Sequence, residues 1–316
     1  MGRSVAVVLT VVVIALLTSP LIVAAHTTRR DTTSVATPES GARTRTSISP
    51  ASSSAMAAAP MAAARDSAPL VAALQQLVDG SGASVGVAVV ELGGSDPLTW
   101  SLDGGAVFTA ASTYKLVALM MEAQNIASGN TDPNGLVCYQ DSDYEAGWFD
   151  DYAPGECFTR NELASRAGQQ SDNTAGHMLV RDVGGVDALN AWAASVGTTD
   201  SAFSDPNTTT AADLAVLWTA EANGRLGGAS AQAWLYPLLA GTTTEAGVPA
   251  GVSGSTVVHK TGAIDAVEND AALVTAGPDG PYVLVVMTDG LGGSAGWGLI
   301  AGLSAAVWQI EVSRLQ

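Results

Sequence analysis

A hydroxyl and an amine stand three residues apart in the run Thr109, Ala110, Ala111, Ser112, Thr113, Tyr114, Lys115, Leu116. Leu116, Val117, Leu119, Met120 and Met121 follow with the spacing of an amphipathic helix, which predicts Ser112 as its N-cap or a first-turn residue. At that spacing both side chains share one helix face, so the amine reaches the hydroxyl and the pair is a nucleophile beside its base. A capping serine above a surface lysine has the same spacing. Residue usage separates the two, because lysine occurs in this chain only at Lys115 and Lys260, whereas the other basic residues are all arginine. Lysine can serve as a titratable base; arginine stays charged.

Lys260 opens Lys260-Thr261-Gly262 directly after the strand-like residues 256–259, and Ser171-Asp172-Asn173 lies between the two lysines just before a helical pattern. Ser-x-x-Lys, Ser-Asp-Asn and Lys-Thr-Gly in that order resemble the signature of class A beta-lactamases and penicillin-binding proteins. The resemblance covers residues 68–316, and the 59 residues from Ser112 to Ser171 and the run Asn269 to Val274 fit it. It implies that Ser112 attacks a lactam or amide carbonyl, with Lys115 as base. Ser171 then relays a proton to the leaving nitrogen, and Asn173 binds the substrate amide. Lys260 and Thr261 hold the substrate carboxylate, and Gly262 and Ala263 beside them also bind the substrate. The N–H groups of Ser112 and Ala263 form the oxyanion hole, worth about 3 to 4 kcal/mol per donor. Lys260 and the helix N-terminus are expected to lower the Lys115 pKa. The implied substrate is a beta-lactam, a D-Ala-D-Ala-type wall peptide or an ester. No cofactor and no metal is called for.

The pattern departs from the family in one stretch. Only 89 residues separate Ser171 from Lys260, and no glutamate occurs between Glu162 and Glu221, where the family carries the one that activates the deacylating water. Asp200 and Asp205 are the acids available on residues 197–210, and both are short. The arginine that many members place after the third motif is also missing from Val267-Glu268-Asn269. The expectation is acylation with slow release, the alternative being an exported wall- or penicillin-binding protein without turnover.

Periodicity predicts the elements that must position these groups. Helices are expected over 70–78, 112–121, 161–168, 174–183, 186–196, 209–222, 231–239 and 294–312, and strands over 85–90, 98–102, 255–261, 269–275 and 282–287. Helices at both ends with the strands split between them give an α+β fold, three layers in α/β/α order. One antiparallel sheet is flanked by helices, and an all-helical subdomain carries the second motif. The class A fold has this layout. Residues 82–86 match a nucleophile elbow but precede a strand, and the glycine-rich 290–295 lacks a complete strand-helix-strand unit, so both matches are rejected. His177 and His259 show no metal-ligand neighbours in the sequence. His177 is expected to pack within its helix and His259 to face away from Lys260.

Between the first two motifs, Cys138 and Cys157 enclose an acidic, aromatic loop, and two cysteines in an exported chain are most simply one disulfide. Trp148, Phe149 or Tyr152 is the candidate for the aromatic that the family places at the cleft rim, with surface packing the alternative. The carboxylates of this loop miss the spacing of a calcium loop.

Composition bounds the rest. With 47% hydrophobic and 14% charged residues the chain can bury a full core. A net charge of −17 argues against nucleic-acid partners. Residues 1–25 read as a signal peptide ending in Val23-Ala24-Ala25, or as an uncut membrane anchor, and 26–66 as a Ser/Thr/Ala/Pro linker. The hydrolase domain spans 67–316. The expected protein is exported to the cell envelope, acts on a small-molecule or peptide substrate, and is a monomer.

Overall fold

The computed structural model describes residues 67–94 and 96–315; the signal or anchor segment and the linker lie outside the described residues. Helix α1 (Ala68–Ser81) leads into β1 (Ser84–Glu91) and β2 (Thr99–Leu102). The two-residue β3 (Phe108–Thr109) precedes a 3-10 turn at Ala111–Thr113 and α2 (Tyr114–Ala127). Next come β4 (Leu136–Cys138), β5 (Cys157–Thr159), α3 (Arg160–Gln169), α4 (Asn173–Asp182), α5 (Gly185–Val196), β6 (Thr208–Thr209), α6 (Ala211–Ala222) and α7 (Gly228–Leu235). The chain closes with α8 (Val248–Gly251), β7 (Val257–Ile264), β8 (Val267–Gly277), β9 (Gly280–Asp289) and α9 (Ser294–Ser313).

The five-stranded antiparallel sheet has the order β2-β1-β9-β8-β7. Its three central strands are largely buried on both faces, as a sheet covered by helices on both sides requires, with Glu268, Asn269 and Asp270 of β8 among the polar exceptions. Period-two alternation sorts the side chains of β9: Tyr282, Leu284 and Val286 pack with Leu70 and Leu74 of α1 and Ile300 and Leu303 of α9. Val283, Val285 and Met287 point the other way, into the core shared with α2, α4 and α6. The same alternation fixes β7. Lys260 lies on the helical-subdomain face with Val258, and His259 on the opposite face with Val257. The three-layer α+β reading therefore holds.

Local deviations from the periodicity have identifiable causes. Ser112 sits in the 3-10 turn just ahead of α2 and makes no side-chain cap. The expected helix 231–239 divides: α7 stops at Leu235, and a 3-10 turn over Tyr236–Leu238 follows because Pro237 has no N–H to donate. The short pairs β3-β6 and β4-β5 carry no alternation long enough to announce them. In the β4-β5 ladder Cys138 lies directly opposite Cys157, and the two form the expected disulfide. The acidic loop that it closes is fastened by arginine forks, Arg181 on Asp143 and Arg166 on Asp151.

One buried acid of α6 makes stability pH-dependent. Glu221 is fully buried, and among the described residues neither carboxylate oxygen has a hydrogen-bond partner, so burial pushes its pKa up to about 7. A folded-state pKa raised above the unfolded value means that the folded state holds the proton more tightly, so stability falls as pH rises from the ordinary carboxyl range toward 7. Glu221→Gln, neutral throughout, is expected to gain about 1–3 kcal/mol on wild type between acidic pH and pH 8 in urea titrations. An unchanged difference across that range would show that Glu221 has found a partner.

Candidate active site

The turn that carries Ser112 is held in a strained form. Ala111 has φ 48°, a left-handed value that costs a residue with a Cβ free energy and persists only where neighbours impose it. Those neighbours are two asparagines. Asn207 Nδ2 donates to Ala111 O at 3.0 Å while the Ala110 N–H donates to Asn207 O at 2.8 Å, and Asn269 Nδ2 donates to Thr109 O at 2.9 Å. Gly262 of β7 closes against the same turn: a Cβ there would lie 2.6 Å from Ala110 O and 3.0 Å from the amide nitrogens of Ser112 and Thr113. Only glycine permits that approach. Ala263, next along the strand, lines one cleft with Ser112.

Lys115, in the first turn of α2, is completely buried. Its Nζ donates to Ser112 Oγ at 3.0 Å, to Ser171 O at 2.6 Å and to Asn173 Oδ1 at 2.6 Å, and stands 3.5 Å from Ser171 Oγ. Burial lowers its pKa to about 8, partly opposed by the negative charges of Asp172 and Glu145. Lys260 approaches from the sheet and donates to Ser171 Oγ at 2.9 Å and to Thr261 O at 2.9 Å. Burial, and then the nearby Lys115, hold its pKa well below the ordinary ammonium range. Two amines thus converge on one serine hydroxyl, and their titrations belong to the pair.

Ser171 reaches between them because it too is left-handed, φ 59°, on the step into α4. Asp172 makes that step. Its Oδ1 caps α4 by accepting from the Ala175 N–H at 2.9 Å and also accepts from Tyr152 Oη at 2.7 Å, while Oδ2 accepts from the Trp148 N–H at 3.1 Å. Asn173, the first residue of α4, then turns its carbonyl to Lys115 and its amide nitrogen to Glu145 Oε1 at 2.8 Å.

The structure therefore brings Ser112, Lys115, Ser171, Asn173 and Lys260 together through direct hydrogen bonds, with Thr261, Gly262 and Ala263 on the adjoining strand. The cleft, about 290 Å³, is lined by Ala111, Ser112, Tyr114, Glu145, Asn173, Asn207, Ala263 and Ile264. Two of these, Glu145 and Asn207, escape the motif reading. Glu145 sits in the loop where an aromatic rim residue is expected, yet none of the three candidates is among the lining residues. Phe149 and Tyr152 pack around the Arg166 guanidinium, and Trp148 projects into solvent. Asp200 and Asp205 are both exposed and neither lines the cleft; Asn207 does instead.

His259 faces away from Lys260 as expected, and strand pairing and a distant loop bring two carboxylates to its ring. Asp270, brought beside it by the β7-β8 register, stands 2.9 Å from Nδ1, and Glu245, from a distant loop, 3.1 Å from Nε2. These carboxylates raise its pKa to about 9 against the opposing, largest effect of burial. His177 likewise has Glu145 Oε2 at 3.3 Å from Nε2.

Residues 69–310 match the profile described as the beta-lactamase enzyme family. Among solved structures, PBP-A is 26% identical with a TM-score of 0.70, over 76% of this chain and 96% of that one. A PBP-A variant described as an acyl-enzyme complex with penicillin G is 27% identical with a TM-score of 0.71, over 79% and 98%. A beta-lactamase from Sphaerobacter thermophilus is 25% identical with a TM-score of 0.70, over 78% and 98%.

Proposed function

This chain belongs to the beta-lactamase enzyme family, and from that premise we propose that it is an exported serine acyl-transfer hydrolase that opens beta-lactams or D-Ala-D-Ala-type peptides through Ser112 and releases the acyl group slowly. The observation that carries the reading is Lys115: a buried amine 3.0 Å from the Ser112 hydroxyl, with a pKa lowered to about 8. A protonated surface lysine cannot take a proton; this one is partly neutral near neutral pH.

In the proposed step Ser112 Oγ bonds to the carbonyl carbon as its proton passes to Lys115. The carbonyl oxygen becomes an anion, met by the N–H groups of Ser112 and Ala263. When the anion collapses the C–N bond breaks, and the nitrogen takes a proton through Ser171 Oγ, which accepts from Lys260 Nζ at 2.9 Å. A substrate carboxylate arriving beside Lys260 and Thr261 favours the charged form of Lys260. That charge in turn favours a neutral Lys115. Binding the anion thus prepares the base.

Slow release is supported by the cleft lining, in which Asn207 stands where the loop preceding α6 reaches Ser112 and no acid of that loop is present. Export is supported by the apolar residues 4–25. No helix among the described residues is long and apolar enough to cross a membrane.

The test is intact-mass spectrometry of the full chain mixed with a fluorescent penicillin, beside Ser112→Ala. The expected result is one penicilloyl group per chain that persists for minutes or longer and is absent from the variant. Antibiotic consumed without an adduct would overturn slow release. Antibiotic neither bound nor consumed would overturn acyl transfer.

A further inference from the structure

The proposed mechanism leaves one buried charge unused. His259 is completely buried on the face of β7 opposite Lys260, and each ring nitrogen meets a carboxylate, Asp270 Oδ1 at 2.9 Å from Nδ1 and Glu245 Oε1 at 3.1 Å from Nε2. Only the doubly protonated ring donates to both, so the geometry calls for an imidazolium. Asp270 and Glu245 are the charged groups that face it. Of the helices packed at this end of β7 and on β8, α8 carries no titratable residue, and the single acid of α9, Glu311, is held by Arg314.

The loop that supplies Glu245 joins the two halves of the proton relay. Glu245 Oε1 also accepts from the Thr242 N–H at 2.6 Å and from Thr242 Oγ1 at 3.1 Å, which folds residues 242–245 against the ring. Thr243 donates to Gln169 O from its N–H at 3.0 Å and from Oγ1 at 3.1 Å, and Gln169 Nε2 donates to Pro237 O at 2.7 Å. Gln169 ends α3, two residues before Ser171. The chain thus closes a circuit. It runs from His259 through Glu245, Thr242 and Thr243 to Gln169, along the backbone to Ser171, across 2.9 Å to Lys260 Nζ, and back along β7. The link in it that depends on a proton outside the reacting groups is His259 to Glu245.

We propose that His259 is a positioning residue, whose imidazolium holds the 242–245 loop and through it sets the separation of Ser171 and Lys260 on which proton delivery to the leaving nitrogen depends. The inference rests on the acyl-transfer reading and adds to it a group that touches no substrate. When the ring loses a proton, Nδ1–H stays with Asp270, which is buried and whose Oδ2 accepts from the Val248 N–H at 2.8 Å. Glu245, half exposed, exchanges the ring for water. The loop then loosens, and Gln169 with it. Against the desolvation of burial, the two carboxylates raise the ring's pKa to about 9, so the link is intact below that pH and lost above it.

The test follows acylation by a fluorescent penicillin from pH 6 to 10.5 in stopped flow, beside NMR titration of the histidine ring resonances. Wild type is expected to acylate fastest between about pH 8 and 9 and to fall by about tenfold or more above that range, with its midpoint where the His259 resonance titrates. Glu245→Gln removes one of the two counter-charges. The falling limb and the resonance should therefore move together, by roughly half a pH unit to lower pH, the size of one half-exposed charge pair. His259→Gln, neutral throughout, should acylate about ten- to a hundredfold more slowly than the wild-type plateau and show no falling limb. Thermal melts show whether the variants fold; if His259→Gln does not, Glu245→Gln decides alone. Three results would each overturn the inference and leave acyl transfer standing: His259→Gln at the plateau rate, a falling limb unmoved in Glu245→Gln, or a ring that titrates with no change in rate. No adduct in wild type at any pH would bring down both.

Discussion

Lys115→Arg is expected to slow Ser112 acylation at pH 7 by roughly 10²- to 10⁴-fold, the range found when a positioned proton acceptor is lost. The argument is electrostatic before it is steric. With a pKa of about 8, roughly one tenth of Lys115 is neutral at pH 7, enough to accept the Ser112 proton. A guanidinium stays charged at any working pH. Space is also lacking: a Cβ at Gly176 would lie 2.7 Å from Lys115 Cε, so the α4 backbone already touches the lysine stem. The sign of the pH dependence follows. Wild-type acylation should climb with pH below about 7, where the neutral amine is scarce, and level off above about 8. Lys115→Ala, which keeps the fold without the crowding of arginine, should lose both the rate and that climb. The measurement is the acylation rate from pH 5.5 to 9 for the three proteins. A variant that acylates as fast as wild type, or a flat wild-type profile, would remove Lys115 from the role of base.

Much of this arrangement is legible in the sequence because its parts are short-range or periodic. Ser112 and Lys115 lie one turn apart, Asn173 opens α4 directly after an acidic N-cap, and β7 alternates so that Lys260 and His259 must face opposite ways. Such relations depend on 3.6- and 2-residue periods and survive in any sequence that keeps them. Their meeting is not local. Lys115 comes from α2, Ser171 from the step between α3 and α4 and Lys260 from the sheet, and only the shared motif order joins them before a structure is available.

Glu145 and Asn207 are illegible for a different physical reason. Each belongs to an irregular segment whose path is set by side-chain to backbone bonds from elsewhere. Thr174 clamps Glu145, and Asn207, itself at φ 61°, is joined to Ala110 and Ala111. No periodicity encodes such contacts. The same holds for the left-handed Ala111 and Ser171, since alanine and serine carry no signal for φ above zero. The His259 network escapes for the opposite reason: Asp270 follows from strand register, but Glu245 arrives from a loop that nothing in the sequence points at the sheet.

Gly262→Ala is the second large effect, and it comes without touching any side chain that reacts. The added methyl would sit 2.6 Å from Ala110 O, a contact that no flexible group can relieve, because the obstacle is backbone already bonded by Asn269 Nδ2 and Thr113 Oγ1. Either β7 moves away from the nucleophile turn or the turn moves away from β7. Each response separates Ser112 from Ala263, the two residues whose N–H groups hold one oxygen in the proposed step. A misplacement of about 1 Å costs on the order of 10²-fold in rate, while overpacking costs stability only about 1–3 kcal/mol. The expected variant is therefore folded, melts a few degrees lower, and acylates about a hundredfold more slowly. Gly298→Ala supplies the contrast, since that glycine lies exposed within α9 and an added Cβ there meets nothing within 4 Å. It should be neutral or stabilising by about 0.5–1 kcal/mol, with acylation unchanged. Acylation by Gly262→Ala at the wild-type rate would show that the turn and strand can part without consequence, and would remove Ala263 from the oxyanion site.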